Sequence, residues 1–67
     1  MEIVVNGEQR IVADGLSIAG LLAFLEVPAD RVAVELNKII VRKAEWESAQ
    51  IEPGAQVEIV HFVGGGL

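Results

Sequence analysis

The chain opens with two short runs of apolar and polar residues on either side of Asn6-Gly7. Residues 2–6 are largely β-branched and alternate in the way that strands do, and residues 8–12 form the returning run. Asn-Gly favours a tight hairpin because both central positions of the turn need a positive φ. The first twelve residues therefore predict a β-hairpin.

A single helical pattern follows this hairpin. Its apolar residues recur at helical spacing and form one stripe: Ile18, Leu21, Leu22 and Leu25. Ser17 is a candidate N-cap, because its hydroxyl can accept from the first free backbone N–H groups. The helix must end by Val27, since Pro28 disfavours helical backbone in the residue before it. Gly20 interrupts the helix, and we expect it to allow a close approach to a sheet.

The second half of the chain predicts a further hairpin. Residues 31–36 alternate as a strand, Asn37-Lys38 is a candidate two-residue turn, and residues 39–41 form a short partner strand. The polar segment 42–50 holds at most one irregular helical turn. Within it we expect Trp46 to fold back onto the edge of the core, because large aromatic residues dominate packing energies.

The last predicted strand covers residues 56–62 and follows a turn at Pro53-Gly54. The order of elements is therefore hairpin, helix, hairpin, irregular turn and strand. This order predicts an α+β fold, in which one short helix lies across one face of a mixed four- to five-stranded sheet. The first and last strands are expected to be parallel neighbours. We predict one domain over residues 1–62 and a flexible tail over residues 63–67.

One face of this sheet is predicted to lack a cover. If the helix packs against Ile3 and Val5, then Val4, Val60 and Phe62 point to the opposite face, beside the tail. A solvated sheet face is usually polar, and contiguous exposed apolar residues indicate a binding surface. We therefore predict a partner-binding patch formed by Val4, Val60 and Phe62.

The composition of the chain limits the kinds of partner that it can bind and the cellular compartment in which we expect it. The chain has 67 residues, 52% of them hydrophobic, and no cysteine, so disulfides and thiolate metal sites are excluded. A net charge of −5 disfavours binding to nucleic acid or to an anionic membrane, because both are negatively charged. It favours a protein partner with a basic surface. No apolar run reaches the roughly 20 residues that span a bilayer. Since the start has no basic n-region typical of a signal peptide, we expect a cytoplasmic protein.

The chain offers little catalytic chemistry of its own. It has neither Tyr nor Thr, His61 is its only histidine, and its only serines are Ser17 and Ser48. A Ser–His–acid arrangement would need a serine beside His61. One histidine with scattered carboxylates makes a poor metal site, and the glycines at 64–66 lack the lysine and helix of a phosphate-binding loop. We therefore predict a protein that is not an enzyme and binds neither a metal nor a cofactor.

The three glycines near the end of the chain suggest a different role. Gly64, Gly65 and Gly66 carry no side chains, so this segment can thread a narrow channel. Residues 63–66 span about 13 Å when extended. Such a thread can present a carboxylate to the active site of another protein.

Short segments along nearly the whole chain resemble the ThiS family of sulfur carriers, within the ThiS/MoaD group of ubiquitin-like β-grasp proteins. They are residues 3–8, 17–22, 32–37, 40–41, 45–46, 53–59 and 62–66. MoaD-like subunits of molybdopterin synthase share the fold and the glycine ending but are usually longer, which favours the thiamine branch. A carrier for another pathway, such as molybdopterin or cysteine synthesis, and a β-grasp interaction module without tail chemistry are the alternatives.

The resemblance implies a specific chemistry for the tail. A ThiF-like adenylyltransferase would activate the carboxylate of Gly66 with ATP, and a cysteine desulfurase relay would convert it to a thiocarboxylate. A ThiG-like thiazole synthase would then receive the sulfur, while Gly64 and Gly65 thread the channels of both partners. The family ends on Gly-Gly, whereas this sequence continues to Leu67. Leu67 is then either a residue added for expression, which we favour, or part of a precursor that is trimmed in the cell.

Overall fold

The computed structural model describes residues 1–62, and the segment from residue 63 to residue 67 lies outside the described residues. The described part contains five strands, one α-helix and two short 3-10 helices. In chain order they are β1 (Glu2–Val5), β2 (Glu8–Ile11), α1 (Ile18–Phe24), a 3-10 helix (Ala29–Arg31), β3 (Val32–Leu36), β4 (Ile39–Val41), a second 3-10 helix (Lys43–Glu45) and β5 (Gln56–His61).

The strands form one mixed sheet in the order β2-β1-β5-β3-β4. β1 and β5 are parallel neighbours, with Val5 opposite Val57, and the other pairings are antiparallel. The predicted α+β fold, in which one short helix covers one face of a mixed sheet, is confirmed. The sheet has five strands, the upper of the two predicted numbers.

Both hairpins have the predicted two-residue turns. Asn6 and Gly7 have φ of 49° and 82°, and Asn37 and Lys38 have φ of 52° and 70°. Positive φ at both central positions matches the twist of the flanking strands. Each turn therefore sets the register of its hairpin, which decides the face on which each strand residue lies.

The core lies between α1 and one face of the sheet. The most buried side chains are those of Ile3, Val34 and Val57 on the sheet and Ile18 and Leu21 on the helix. The Ser17 hydroxyl accepts a 3.0 Å hydrogen bond from the Gly20 N–H, which confirms the predicted N-cap. A seven-residue helix is marginal on its own, so burial of its apolar stripe is what maintains it.

Trp46 closes the edge of this core, as predicted. It is only 5% exposed, and its indole Nε1 donates a 2.9 Å hydrogen bond to the Val41 carbonyl. The expectation for Gly20 was wrong. A Cβ at this position would meet Leu16 Cδ2 at 3.0 Å and the Ser17 hydroxyl at 3.5 Å, both from the turn before the helix, and no atom of the sheet within 4 Å.

Candidate functional site

β5 is the middle strand of the sheet, and it leads toward the glycine segment. Its first residue is held by Asn37, whose Oδ1 accepts from the Gln56 N–H at 2.9 Å. Further along, Oδ1 of Asn6 accepts from the Ile59 N–H at 2.7 Å, and Nδ2 of Asn6 donates to the Ile59 carbonyl at 3.2 Å. β5 is also paired with β3 from Val57, opposite Leu36, to His61, opposite Val32. The strand that precedes the tail is therefore fixed from both sides.

The face of the sheet opposite the helix carries the predicted patch. Val60 is 57% exposed and Phe62 is 42% exposed, while Val4 is half-buried between its neighbours. Alternation along β5 places Val57 and Ile59 in the core and Val60 on the opposite face. Val4 and Val60 thus lie on the predicted face, and Phe62, which follows the end of β5, is exposed. Their role in partner binding stays a prediction.

The strand register adds residues to this face that the sequence did not indicate. Ile40 pairs with Glu35 and Ile11 pairs with Glu2, so both isoleucines lie on the open side, 71% and 74% exposed. Glu35 also lies directly opposite Glu58. Like charges in this position repel each other. The open face is therefore apolar with carboxylates between the apolar groups, which is a surface suited to a partner with both apolar and basic groups.

His61 lies on the helix side of the sheet, where it is exposed. It lines an open depression at the end of α1 together with Phe24 and Arg10, and neither Ser17 nor Ser48 borders this depression. The hydroxyl of Ser48 donates to the Glu45 carbonyl and Ser17 caps the helix. Within residues 1–62, no serine is therefore placed to work with His61.

Two further observations concern only the described part of the chain. It contains no group of three or more His, Cys, Asp or Glu residues that could hold a metal ion. No helix in residues 1–62 is long and apolar enough to cross a membrane.

The predicted sulfur-accepting residue Gly66 and the predicted threading residues Gly64 and Gly65 lie outside the described range.

Comparison with known proteins gives one family and several relatives. The family model described as the ThiS family matches residues 3–66. The sulfur carrier protein ThiS of Bacillus subtilis is 40% identical over 50 residues, which are 75% of this chain and 76% of that protein. The thiazole synthases of Paramagnetospirillum magneticum and Magnetococcus marinus are 39% and 38% identical over 66 residues, which are 98% of this chain and 20% of each synthase. The chain thus spans about a fifth of the length of these two relatives.

The fold has a close counterpart among solved structures. The crystal structure of the thiamine biosynthesis protein ThiS from Geobacter metallireducens superposes with a TM-score of 0.88 at 35% identity, over 98% of this chain and 100% of that one. This agreement confirms the ubiquitin-like β-grasp fold. Since the family model covers nearly the whole sequence, the chain belongs to the ThiS family.

Proposed function

We propose that this chain is a sulfur carrier in thiamine biosynthesis, and that it accepts sulfur at the carbonyl carbon of Gly66. The observation that carries the proposal is the match to the ThiS family through residue 66, which includes all three glycines. The similarity to a sulfur carrier protein of Bacillus subtilis supports the same role. On this proposal the chain is a substrate for other enzymes rather than a catalyst. The cytoplasmic location stays a prediction.

The proposed chemistry begins with activation, because a carboxylate is a poor electrophile. A carboxylate oxygen of Gly66 attacks the α-phosphorus of ATP in a ThiF-like adenylyltransferase, and pyrophosphate leaves. The resulting acyl-adenylate has AMP as a good leaving group. ATP is thus a substrate of the partner, and the carrier itself needs no bound cofactor.

Sulfur then replaces AMP at the same carbon. A sulfur nucleophile supplied through a cysteine desulfurase relay attacks the carbonyl, and AMP departs. Where the donor is a persulfide, a second thiol must cleave the S–S bond to leave the thiocarboxylate on the carrier. A residue without a side chain suits this position, because a Cβ would crowd the attack on the carbonyl.

The described structure supports different roles for the sheet, which would bind the partner, and for the tail, which would carry the sulfur. β5 is held by β3 on one side and by β1 and Asn6 on the other, so the domain offers a rigid base for the glycine segment. Val60 lies on the open face near the end of β5, and the exposed Phe62 directly follows that strand. We propose that this patch docks on the partner while Gly64 and Gly65 thread its channel.

The thiazole synthase relatives support the identity of the sulfur acceptor. A region similar to this chain makes up a fifth of each of them. We therefore propose that a ThiG-like thiazole synthase receives the sulfur from Gly66. The adenylation that precedes this transfer requires Gly66 to carry a free carboxylate. The form with Leu67 becomes a substrate only after Leu67 is removed.

Intact-mass spectrometry tests the proposal directly. The chain ending at Gly66 is incubated with a ThiF-like enzyme, ATP, cysteine and a cysteine desulfurase. We expect the mass to rise by the difference between sulfur and oxygen, and to return to its starting value when a thiazole synthase and its other substrates are added. Matched controls are the chain that keeps Leu67 and a chain that ends at Gly65.

Three outcomes have distinct meanings. No mass change in the chain that ends at Gly66 would contradict the carrier role and favour an interaction module. Sulfur loading of the form that still carries Leu67 would contradict the assignment of Gly66 as the acceptor. Discharge by a molybdopterin synthase large subunit but not by a thiazole synthase would assign the carrier to the molybdopterin pathway.

A further inference from the structure

β4 (three residues) forms one edge of the sheet, so the backbone groups that point away from β3 have no strand to pair with. Its two-residue turn makes Leu36 and Ile39 a hydrogen-bonded pair. The next pair, Glu35 and Ile40, is then of the non-hydrogen-bonded kind. The N–H and C=O of Ile40 therefore point away from β3, in the geometry that accepts an added strand.

The side chains of β4 are unusual for an edge. Ile39 is 70% exposed and Ile40 is 71% exposed. The opposite edge strand, β2, has the sequence Glu-Gln-Arg-Ile and is mostly polar. Proteins usually protect edge strands with charge or cover, because a free apolar edge pairs readily with another chain. β4 has apolar residues along the strand and charge only at its two ends.

The charges that flank β4 are all positive. Lys38 precedes the strand and Arg42 and Lys43 follow it, so three of the five basic residues of a chain with ten acidic ones are found here. All three side chains are exposed. Within residues 1–62 the ion pairs are those of the N-terminus with Asp14 and of Arg10 with Glu8, and neither involves these cations. The two ends of β4 thus carry charge opposite in sign to the net charge of the chain, while Glu35 lies opposite Ile40 in the neighbouring strand β3.

We propose that the free edge of β4 binds an extended acidic segment of a partner protein by strand addition. The backbone of Ile40 would supply hydrogen bonds, Ile39 and Ile40 the apolar contacts, and the flanking cations the charge selection. A second copy of this chain is a poor occupant. Antiparallel pairing about Ile40 would place Lys38 opposite Arg42 of the other copy, and cross-strand like charges are destabilising.

This edge is separate from the patch on the open face. β3 lies between β4 and β5, which carries Val60. One partner could therefore bind the edge while another receives the tail. The proposal concerns a surface that the sulfur chemistry does not use, so it stands whether or not Gly66 is the sulfur acceptor.

The test is a titration of the isotopically labelled chain, followed by backbone amide NMR, with a capped hexapeptide of alternating valine and glutamate. We expect the largest shifts at residues 38–43 and no comparable shift in β2. A peptide of alternating valine and lysine should bind several-fold more weakly. Shifts centred on β2 or on the patch of Val4, Val60 and Phe62, or no binding at millimolar peptide, would overturn the proposal. If sedimentation showed that the free chain forms a dimer and this dimer were joined through β4, the occupant of the edge would be a second copy of the chain. That result would overturn the choice of an acidic partner segment.

Two variants and one matched control sharpen the result. Arg42→Glu with Lys43→Glu should weaken binding of the acidic peptide by about three- to tenfold, given the small contribution of each exposed ion pair. Arg10→Glu with Arg31→Glu makes the same change of net charge elsewhere and should weaken it much less. Ile40→Pro removes an N–H that faces solvent, which edge strands tolerate, and should abolish binding in a chain that remains folded. Equal losses in both double variants would mean that only net charge matters, which would overturn the proposal.

Discussion

The side-chain amide of Asn6 pairs with both backbone polar groups of Ile59, 53 residues further along the chain. Asn6 occupies the first turn position of its hairpin, where β1 ends. Its Oδ1 accepts from the Ile59 N–H at 2.7 Å and its Nδ2 donates to the Ile59 carbonyl at 3.2 Å. The side chain therefore continues the pairing of β1 with β5 by one step after the backbone of β1 has turned away.

This relationship predicts that Asn6→Asp destabilises the fold. The carboxylate keeps the acceptor for the Ile59 N–H but faces the Ile59 carbonyl with a second oxygen, so one hydrogen bond is replaced by repulsion. We expect a loss of about 1–3 kcal/mol in the free energy of unfolding, measured with urea. Gln9→Glu makes the same chemical change at an exposed position of β2 and should stay within about 0.5 kcal/mol. Equal stability of the two variants would show that the Asn6 amide is dispensable.

Two substitutions of Trp46 separate the contribution of its packing to stability from that of its hydrogen bond. Trp46→Phe keeps an aromatic ring but loses the donor to the Val41 carbonyl, and we expect a loss of about 1–2 kcal/mol. Trp46→Ala also empties the site and should cost about 3–5 kcal/mol. That is much of the stability of a domain of this size, for which about 3–10 kcal/mol is typical.

The measurement is urea unfolding followed by far-ultraviolet circular dichroism, because both variants lack the only tryptophan. Phe24→Leu, at an exposed aromatic residue of α1, is the control and should change the free energy of unfolding little. If Trp46→Phe were as stable as the parent chain, the hydrogen bond to Val41 would contribute nothing measurable.

The sequence predicted the elements and both turns because those depend on local chemistry. Asn-Gly and Asn37-Lys38 mark positions of positive φ, and Ser17 marks a helix start whatever the rest of the chain does. Features that depend on distant pairing were less accessible. The exposed position of Ile40 on the open face follows only from its register against Glu35. The bond between Asn6 and Ile59 likewise depends on how far β1 extends along β5.

The sequence predicted part of the candidate site. Alternation along β5 was sufficient to orient Val60, since the helix covers the other face. The wrong expectation for Gly20 has a physical reason: the sequence shows that a helix contains a glycine, but not which neighbour fills the missing Cβ. That neighbour is the Leu16 side chain, which precedes the helix.

We expect alanine substitutions at Gly20 and Gly15 to change the free energy of unfolding in opposite directions. Alanine in a helix interior is favoured over glycine by about 1 kcal/mol. At Gly20 the new methyl would require only that the Leu16 Cδ2, at 3.0 Å, shift slightly. We expect Gly20→Ala to raise the free energy of unfolding by about 0.5 kcal/mol. Gly15→Ala should lower it by about 1 kcal/mol, since Gly15 has a φ of 78°, which is strained for alanine. Destabilisation by Gly20→Ala would show that the Leu16 side chain cannot move.

The patch on the open face predicts a loss of partner binding without a loss of fold. Val60→Asp and Phe62→Asp place a charge on side chains that are already 57% and 42% exposed, so unfolding by urea should change little. Against the proposed adenylating partner we expect the KM for this chain to rise at least about tenfold, because a buried charge would replace an apolar contact in the complex. The kcat should change less, since the tail chemistry is unaltered.

The control for these variants is Ile11→Asp, on the same face but in β2, two strands from β5. It adds the same charge to a more exposed residue and should leave the KM near that of the parent chain. Val4 is half-buried, so Val4→Ala rather than a charge tests its share of the patch. A KM unchanged by Val60→Asp and Phe62→Asp would mean that the partner does not use this face. Equal rises in all three aspartate variants would instead indicate a general effect of negative charge on an acidic carrier.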